Sequence, residues 1–247
     1  MDSRALRPAA HVRAAFADGI GVLLDLRSGR YIALNAVGAT LWRALLAGAV
    51  LDEVLQRLAL DCGQPVERLR QDAGAFMAQA RKAGLLADAG SHPPASRDYP
   101  GDADGPTVAP PADATEEEAH VTPSRLWLPA AWCLVFCVER AGRLLGFARM
   151  QALLHRLPRP ARRRDLAAAR TLAATVNRAA ELQPGRARCL ERSAATLVLL
   201  RLLGWPAEMV IGVQPRPFVA HAWVELGGRV LNDRQSVRHT YLALERC

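Results

Sequence analysis

Paired cysteines with the spacing of a metal site or a disulfide framework are missing from this sequence of 247 residues. The cysteines are an odd number, five, and form no CxxC motif. Zinc sites and small disulfide-rich domains both need such pairs, so we expect no metal, no disulfide framework and no cofactor. Two cysteines lie one helical turn apart in "AWCLVFCVER", but no nearby histidine completes a ligand set. The five are Cys62, Cys133, Cys137, Cys189 and Cys247.

Hydrophobic runs long enough to cross a bilayer are also missing. The longest, "LWLPAAWCLVFCV", ends at Glu139 and Arg140 after about 13 residues, whereas a membrane-spanning helix needs about 20. The opening segment "MDSRALRPAA" has no apolar core of the kind found in a secretory signal. We therefore expect no membrane span and a reducing, cytoplasmic location.

Aromatic residues are scarce, at 5%, and Lys82 is the single lysine, yet the net charge is +8. Most of the basic excess lies in residues 120–247, including the segment "RPARRRD". Such a surface could face nucleic acid, an anionic membrane or an acidic protein. Because no aromatic residues alternate with these arginines to stack on bases, we interpret them as solvated helix faces. No nucleic-acid partner is expected.

One segment, residues 88–119, contains almost no large apolar residues. It is rich in proline, glycine, alanine and aspartate and has an acidic excess. Such a composition cannot bury enough surface to offset the entropy of ordering the chain. We predict a flexible acidic linker here, between a first domain at 1–87 and a second at 120–247.

Turn signals and apolar spacing divide the first domain into strands followed by helices. Asp18-Gly19 and Ser28-Gly29 are turn dipeptides, and the alternating segments around them predict three strands. Asn35 predicts the N-cap of a helix that ends at Gly48, and Pro65 predicts the start of a third helix. The predicted module is winged-helix-like, with strands near 10–16, 20–26 and 30–34 and helices over "NAVGATLWRALLAG", "LDEVLQRLAL" and the segment from Pro65.

Many winged helices bind DNA, but the near balance of basic and acidic groups in residues 1–87 argues against a phosphate-binding surface. The core "YIALNAVGATLW", followed by an amphipathic helix and a proline-initiated helix ending in "KAGLL", resembles the PqqD-like peptide-recognition family. That resemblance implies binding of a ribosomal precursor's leader as an added strand, with main-chain hydrogen bonds supplying affinity. The expected receiving edge is Arg30, Tyr31, Ile32, Ala33 and Leu34.

The second domain changes from helical to strand-like patterning along its length. Helical spacing marks "RLLGFARMQALLHRLP" and "DLAAARTLAATVNRAAEL", and three strand-like segments follow: "AEMVIGV", "FVAHAWVEL" and "RVLND". Gly227-Gly228 between the last two segments is a hairpin signal. Helices leading into an antiparallel sheet predict an α+β domain.

Cys189 stands at the start of an apolar helical run expected from about residue 189 to 203. A lone cysteine is more often a buried core residue than a nucleophile. A helix N-terminus and neighbouring positive charge, however, both stabilise the reactive thiolate. The neighbouring arginines are Arg186, Arg188 and Arg192.

A nucleophilic cysteine needs a base, and the base needs an orienting group. His221 lies on a predicted strand between two alanines. If Gly227-Gly228 is the turn, paired residue numbers sum to about 455, which puts Asp233 nearly opposite Ala222 and beside His221. Taken alone, His221 could be a core histidine and Asp233 a strand-end turn residue. Trp223, two residues from His221, is expected to form a wall of a pocket beside that ring.

The order of cysteine, histidine and aspartate resembles the transglutaminase-like branch of papain-type enzymes. Residues 189–233 are similar to the leader peptidases of lasso-peptide biosynthesis. This resemblance implies that Cys189 is the nucleophile, His221 the base and acid, and Asp233 the residue that orients the imidazole. The implied reaction is hydrolysis of the leader–core bond, followed by the action of a separate, asparagine-synthetase-like cyclase.

The oxyanion hole of such an enzyme is expected to include the backbone N–H of Cys189, with the Gln183 side chain as a further candidate donor. Two other functions stay open at this point. The chain could be a non-catalytic chaperone that presents a precursor peptide to a cyclase. It could also be an acyltransferase that uses the same three residues with an amine in place of water.

Overall fold

The computed structural model of the chain describes residues 6–17, 19–88, 121–160, 165–183 and 189–247. The chain divides into two compact units between residues 105 and 106, within the segment predicted as a linker. That segment lies outside the described residues except for Asp88. Asp88 belongs to a strand of the first unit. Asp18 of the first predicted turn also lies outside the described residues.

The first unit contains two small antiparallel sheets and three helices. Strands β2, β3 and β4 form one sheet with β3 in the middle, as the turn signals predict. A second sheet pairs β1 with β5, at the two ends of the unit, and was not predicted. The elements are β1 (Leu6–Pro8), β2 (Val12–Ala17), β3 (Ile20–Asp25), β4 (Arg30–Leu34), α1 (Ala36–Ala47), α2 (Leu51–Cys62), α3 (Val66–Lys82) and β5 (Leu86–Asp88).

Local signals determine where the helices of this unit begin and end. The Asn35 side chain accepts a hydrogen bond from the Gly38 backbone at 2.9 Å, which satisfies a donor in the first turn of α1. Gly48 ends the helix at a φ of 66°, in the left-handed region that favours glycine. Both predictions are confirmed. The unit closes around a core in which Trp42 and Leu23 are fully buried.

The second unit packs helices against a four-stranded antiparallel sheet of order β8-β7-β6-β9. Gly146, with a φ of 74°, interrupts the longest helix, α4. Asp165 caps α5 by accepting bonds from two backbone N–H groups. The elements are α4 (Leu128–Arg156), α5 (Leu166–Glu181), α6 (Cys189–Leu202), β6 (Glu208–Gln214), β7 (Val219–Leu226), β8 (Arg229–Val230), α7 (Val237–Thr240) and β9 (Leu242–Arg246).

The β7–β8 hairpin has the predicted register, with Glu225 opposite Val230 and Leu226 opposite Arg229. Strand β8 nevertheless ends at Val230, so Asp233 does not lie on a strand as expected. The Asn232 side chain accepts a hydrogen bond from the Val224 backbone, so a side chain satisfies that donor of β7.

No helix of the described ranges is long and apolar enough to cross a membrane. Within the same ranges, no three histidine, cysteine, aspartate or glutamate residues cluster in a way that could hold a metal ion.

Candidate active site

Cys189 is the first residue of α6 and is partly buried. Burial alone would raise the pKa of its thiol, because a thiolate loses hydration there. Hydrogen bonds with the His221 ring and the Ala222 backbone act in the opposite direction, as do the positive charges of His221 and Arg192. Together they lower the pKa of Cys189 below its ordinary value. The site therefore favours the nucleophilic thiolate.

His221, on β7, connects Cys189 to Asp233. Its Nε2 atom lies 2.7 Å from Oδ2 of Asp233, which leaves Nδ1 for the hydrogen bond with the Cys189 sulfur. The bonds to Asp233 and Cys189 outweigh the effect of burial and raise the pKa of the imidazole to about 9. The ring is therefore protonated at neutral pH, and its positive charge favours the thiolate form of Cys189.

Asp233 lies in a bend after β8. Burial would raise the pKa of its carboxyl group, but hydrogen bonds from His221 and from the Arg234 backbone lower it, as does the charge of Arg192. Nη2 of Arg192 is 3.6 Å from Oδ2 of Asp233. The carboxylate therefore stays ionised beside the imidazolium, as an orienting residue must. The structure thus brings together the three residues that the sequence singled out.

An aromatic side chain that the sequence did not reveal also contacts the site. The centre of the Tyr241 ring lies 5.1 Å from that of His221, at an interplanar angle of 33°. Tyr241 directly precedes β9, whose partner β6 is about 30 residues earlier in the chain. Its position depends on this distant pairing, for which the sequence offered no local signal.

Trp223 does not form the wall of a pocket beside the His221 ring. Its side chain is only 1% exposed, and its Nε1 donates to Oε1 of Glu225 at 2.8 Å. The indole fits against Gly212, where an added Cβ would lie 2.7 Å from the ring. The large side chain is therefore part of the core beneath His221, and the expected pocket role is wrong.

The candidate oxyanion donor Gln183 is buried against α4. Its side-chain nitrogen donates to the backbone carbonyl of Trp132 at 2.9 Å. The five residues that join Gln183 to Cys189, 184–188, lie outside the described residues and include Arg186 and Arg188. A role for Gln183 in the oxyanion hole stays a prediction.

In the first unit, the expected leader-binding residues form β4, an edge strand of its sheet. Arg30 and Ala33 are exposed, whereas Leu34 is buried in the core. The edge position is the geometric requirement for adding another strand. The individual roles of Arg30, Tyr31, Ile32, Ala33 and Leu34 stay predictions.

Comparison with protein families gives a match for each unit. Residues 130–246 match the transglutaminase-like superfamily, and residues 21–86 match coenzyme PQQ synthesis protein D, PqqD. The fold class predicted from the sequence is confirmed: a PqqD-like domain precedes a transglutaminase-like domain of the α+β class.

Individual proteins match over shorter stretches. The chain is 44% identical over 50 residues to microcin J25-processing protein McjB of Escherichia coli. The match covers 20% of this chain and only 24% of McjB. A solved structure titled "TbiB1 in Complex with the TbiA(beta) Leader Peptide" is 26% identical, with a TM-score of 0.31, and the match covers 32% of this chain and 93% of that one.

These matches define the chain's relationship to known proteins. Its C-terminal domain is similar to the transglutaminase-like superfamily, and its N-terminal domain is similar to PqqD. The predicted resemblance to lasso-peptide leader peptidases joined to a PqqD-like domain is confirmed.

Proposed function

We propose that this protein is the leader peptidase of a lasso-peptide biosynthetic system and hydrolyses the bond between the leader and the core of a ribosomal precursor peptide. In this proposal, residues 1–87 recognise the leader, 88–119 link the domains and 120–247 cleave. The observation that carries the proposal is the hydrogen-bonded series from Cys189 through His221 to Asp233. The similarity to a microcin-processing protein supports the choice of substrate class.

The proposed reaction begins with attack of the Cys189 thiolate on the carbonyl carbon of the leader's last residue. Backbone N–H groups at the start of α6 stabilise the resulting oxyanion, with Gln183 as the candidate side-chain donor. The His221 imidazolium protonates the departing nitrogen, which frees the amine of the core and leaves the leader as a thioester. His221 then removes a proton from water as the water oxygen attacks the thioester carbonyl, and loss of the sulfur releases the leader acid and regenerates the Cys189 thiolate beside the His221 imidazolium.

Two partners follow from this reaction. The precursor's leader would add as a strand to the edge formed by β4, so that main-chain hydrogen bonds hold it while the bond is cut elsewhere. The freed core amine would then be the substrate of an asparagine-synthetase-like cyclase, which joins it to a carboxylate side chain.

Purified variants test the catalytic claim against the chaperone alternative. We expect Cys189→Ala and His221→Ala to abolish cleavage of a precursor peptide followed by mass spectrometry, because each removes a reacting group. Cys133→Ala is the matched control, since Cys133 is an exposed thiol of the same domain. Cleavage by Cys189→Ala at the wild-type rate would contradict the proposal, and a wild-type protein that binds the precursor without cutting it would favour the chaperone.

A further inference from the structure

Two buried polar side chains beside the three candidate catalytic residues have no role in the reaction itself. Ser193 is fully buried and Asn232 is 2% exposed. Asn232 donates a hydrogen bond from Nδ2 to Oγ of Ser193 at 2.9 Å. Burying a polar group costs free energy unless it forms hydrogen bonds. A buried, hydrogen-bonded pair in a core therefore indicates that the elements joined there need a specific geometry.

Ser193 attaches α6 to β7 at the residue next to His221. It lies one helical turn after Cys189, and its hydroxyl donates to the Ala222 carbonyl at 2.8 Å. The backbone N–H of the same Ala222 contacts the Cys189 sulfur. The backbone N–H and C=O of Ala222 therefore bond to two successive turns of α6. These bonds fix the position of the Cys189 thiol along the helix axis relative to the His221 ring.

Asn232 holds the backbone in place directly before Asp233. Its Oδ1 accepts from the Val224 N–H at 2.8 Å, and its own backbone carbonyl accepts from Nδ2 of Asn177 at 3.0 Å. These bonds hold the chain beside β7 after β8 has ended. The start of the bend that carries Asp233 is thereby fixed on the same strand as His221.

We propose that Ser193 and Asn232 are positioning residues that hold Cys189, His221 and Asp233 at hydrogen-bonding distance from one another. Their own bond ties the helix that carries the thiol to the bend that carries the carboxylate, with β7 between them. Neither side chain touches the reacting bond. The inference rests on the proposed function for its meaning in catalysis, but the geometry can be measured without any peptide.

The test is the pH dependence of Cys189 alkylation by iodoacetamide, read from the mass of the peptide that contains Cys189. Among the described residues, His221 and Arg192 act directly on the thiol, and Asp233 and Tyr241 contact the His221 ring. For the wild type we expect reaction at a pH well below that of an ordinary thiol. In Ser193→Ala and Asn232→Ala, the pH at which alkylation reaches half its maximal rate should rise by roughly one unit, because the His221 ring no longer faces the sulfur correctly.

Thr196→Val is the matched control. Thr196 is a fully buried hydroxyl residue of the same helix, but it donates to the Arg192 carbonyl within α6 and does not reach β7. Thr196→Val should keep the wild-type pH profile of Cys189 alkylation even if its melting temperature changes. Circular dichroism checks that each variant is folded. If Asn232→Ala does not fold, Ser193→Ala, which removes a single oxygen, tests the positioning role by itself.

Cleavage kinetics separate the inference from the proposed function. With precursor peptide, Ser193→Ala should lose roughly 10- to 100-fold in kcat with KM changed less than about threefold, since misplacement of a catalytic group affects the chemical step. A folded Ser193→Ala with the wild-type alkylation profile and kcat would overturn the positioning role. A wild type that shows the low-pH thiol but never cleaves a precursor would contradict the proposed function alone.

Discussion

Among single residues, the location of two protons decides what the site can do. Burial opposes charge on Cys189, His221 and Asp233, yet in each case hydrogen bonds to the other members reverse its effect. Because the pKa of the thiol is lowered and that of the imidazole is raised to about 9, a pH range exists in which both are charged. The two titrations belong to the coupled pair rather than to either residue alone.

The pH profile of cleavage follows from this coupling. We expect kcat/KM to rise as the thiol ionises and to fall as the imidazolium loses its proton near pH 9. Asp233→Asn removes the largest contribution to the raised pKa of His221, so its alkaline limb should move to lower pH, with activity reduced roughly 100-fold or more. Measuring kcat/KM from pH 5 to 10 checks both expectations.

Asp165→Asn is the control for this measurement. Asp165 is a carboxylate of the same domain that caps α5 and is absent from the interactions that shift the pKa of the site residues. It should leave the shape of the profile unchanged. An alkaline limb that stays in place in Asp233→Asn would refute the role of Asp233 in holding the imidazolium.

The secondary-structure elements show which features local sequence determines. Turn dipeptides and caps predicted β2 to β4 and the helices of the first unit, and Gly227-Gly228 predicted the register of the β7–β8 hairpin, after which Asp233 follows. The short strands β1, β5 and β9 escaped prediction because their partners are distant in sequence and their patterns are only three to five residues long. The buried bonds of Asn232, which replace strand pairing, likewise depend on three separate elements.

The close packing of β6 against the aromatic residues gives a test at this scale. In Gly212→Ala the new Cβ would lie 2.7 Å from the Trp223 ring and 3.0 Å from Cβ of Tyr241. Because both side chains pack beside His221, we expect a loss of about 1–3 kcal/mol in unfolding free energy and reduced cleavage. Urea denaturation of the purified variant measures the first effect.

Gly142→Ala serves as the comparison for that variant. Gly142 lies within α4 of the same unit, and an added Cβ there would make only an ordinary contact with Met150 at 3.7 Å. It should be neutral or slightly stabilising, since alanine favours helices. Equal stability of the Gly212 variant and the wild type would show that the close contact at β6 is unimportant.

The two edges of the first sheet allow the leader-binding proposal to be tested on the full chain. A leader added to β4 should slow hydrogen exchange of the backbone amides in residues 30–34, because new main-chain bonds protect them. The opposite edge, β2, is the internal control and should change little. Protection of β2 without β4, or of neither edge at saturating leader, would contradict the proposed binding mode.

The chain contains two domains of different fold. In the proposed function, the first binds the leader and the second cuts the bond between leader and core. Domain number and fold class followed from the sequence because a segment poor in apolar residues separates two stretches of distinct patterning. The three candidate catalytic residues lie within 45 residues of each other in sequence, from Cys189 to Asp233, so the order of the elements could indicate that they meet. The bonds that hold Asp233 after the end of β8 could not be predicted in this way. The burial of a side chain, by contrast, depends on packing, and Trp223, which was expected to line a pocket, proved to be core.

Cleavage of the precursor in water enriched in ¹⁸O tests the central claim most directly. If Cys189 forms a thioester that water resolves, wild-type protein should release a leader that carries ¹⁸O in its new carboxyl group, together with an unlabelled core that has a free amine. Cys189→Ala should release neither product. Labelled leader from Cys189→Ala at the wild-type rate, or an unlabelled leader joined to an added amine, would contradict the account.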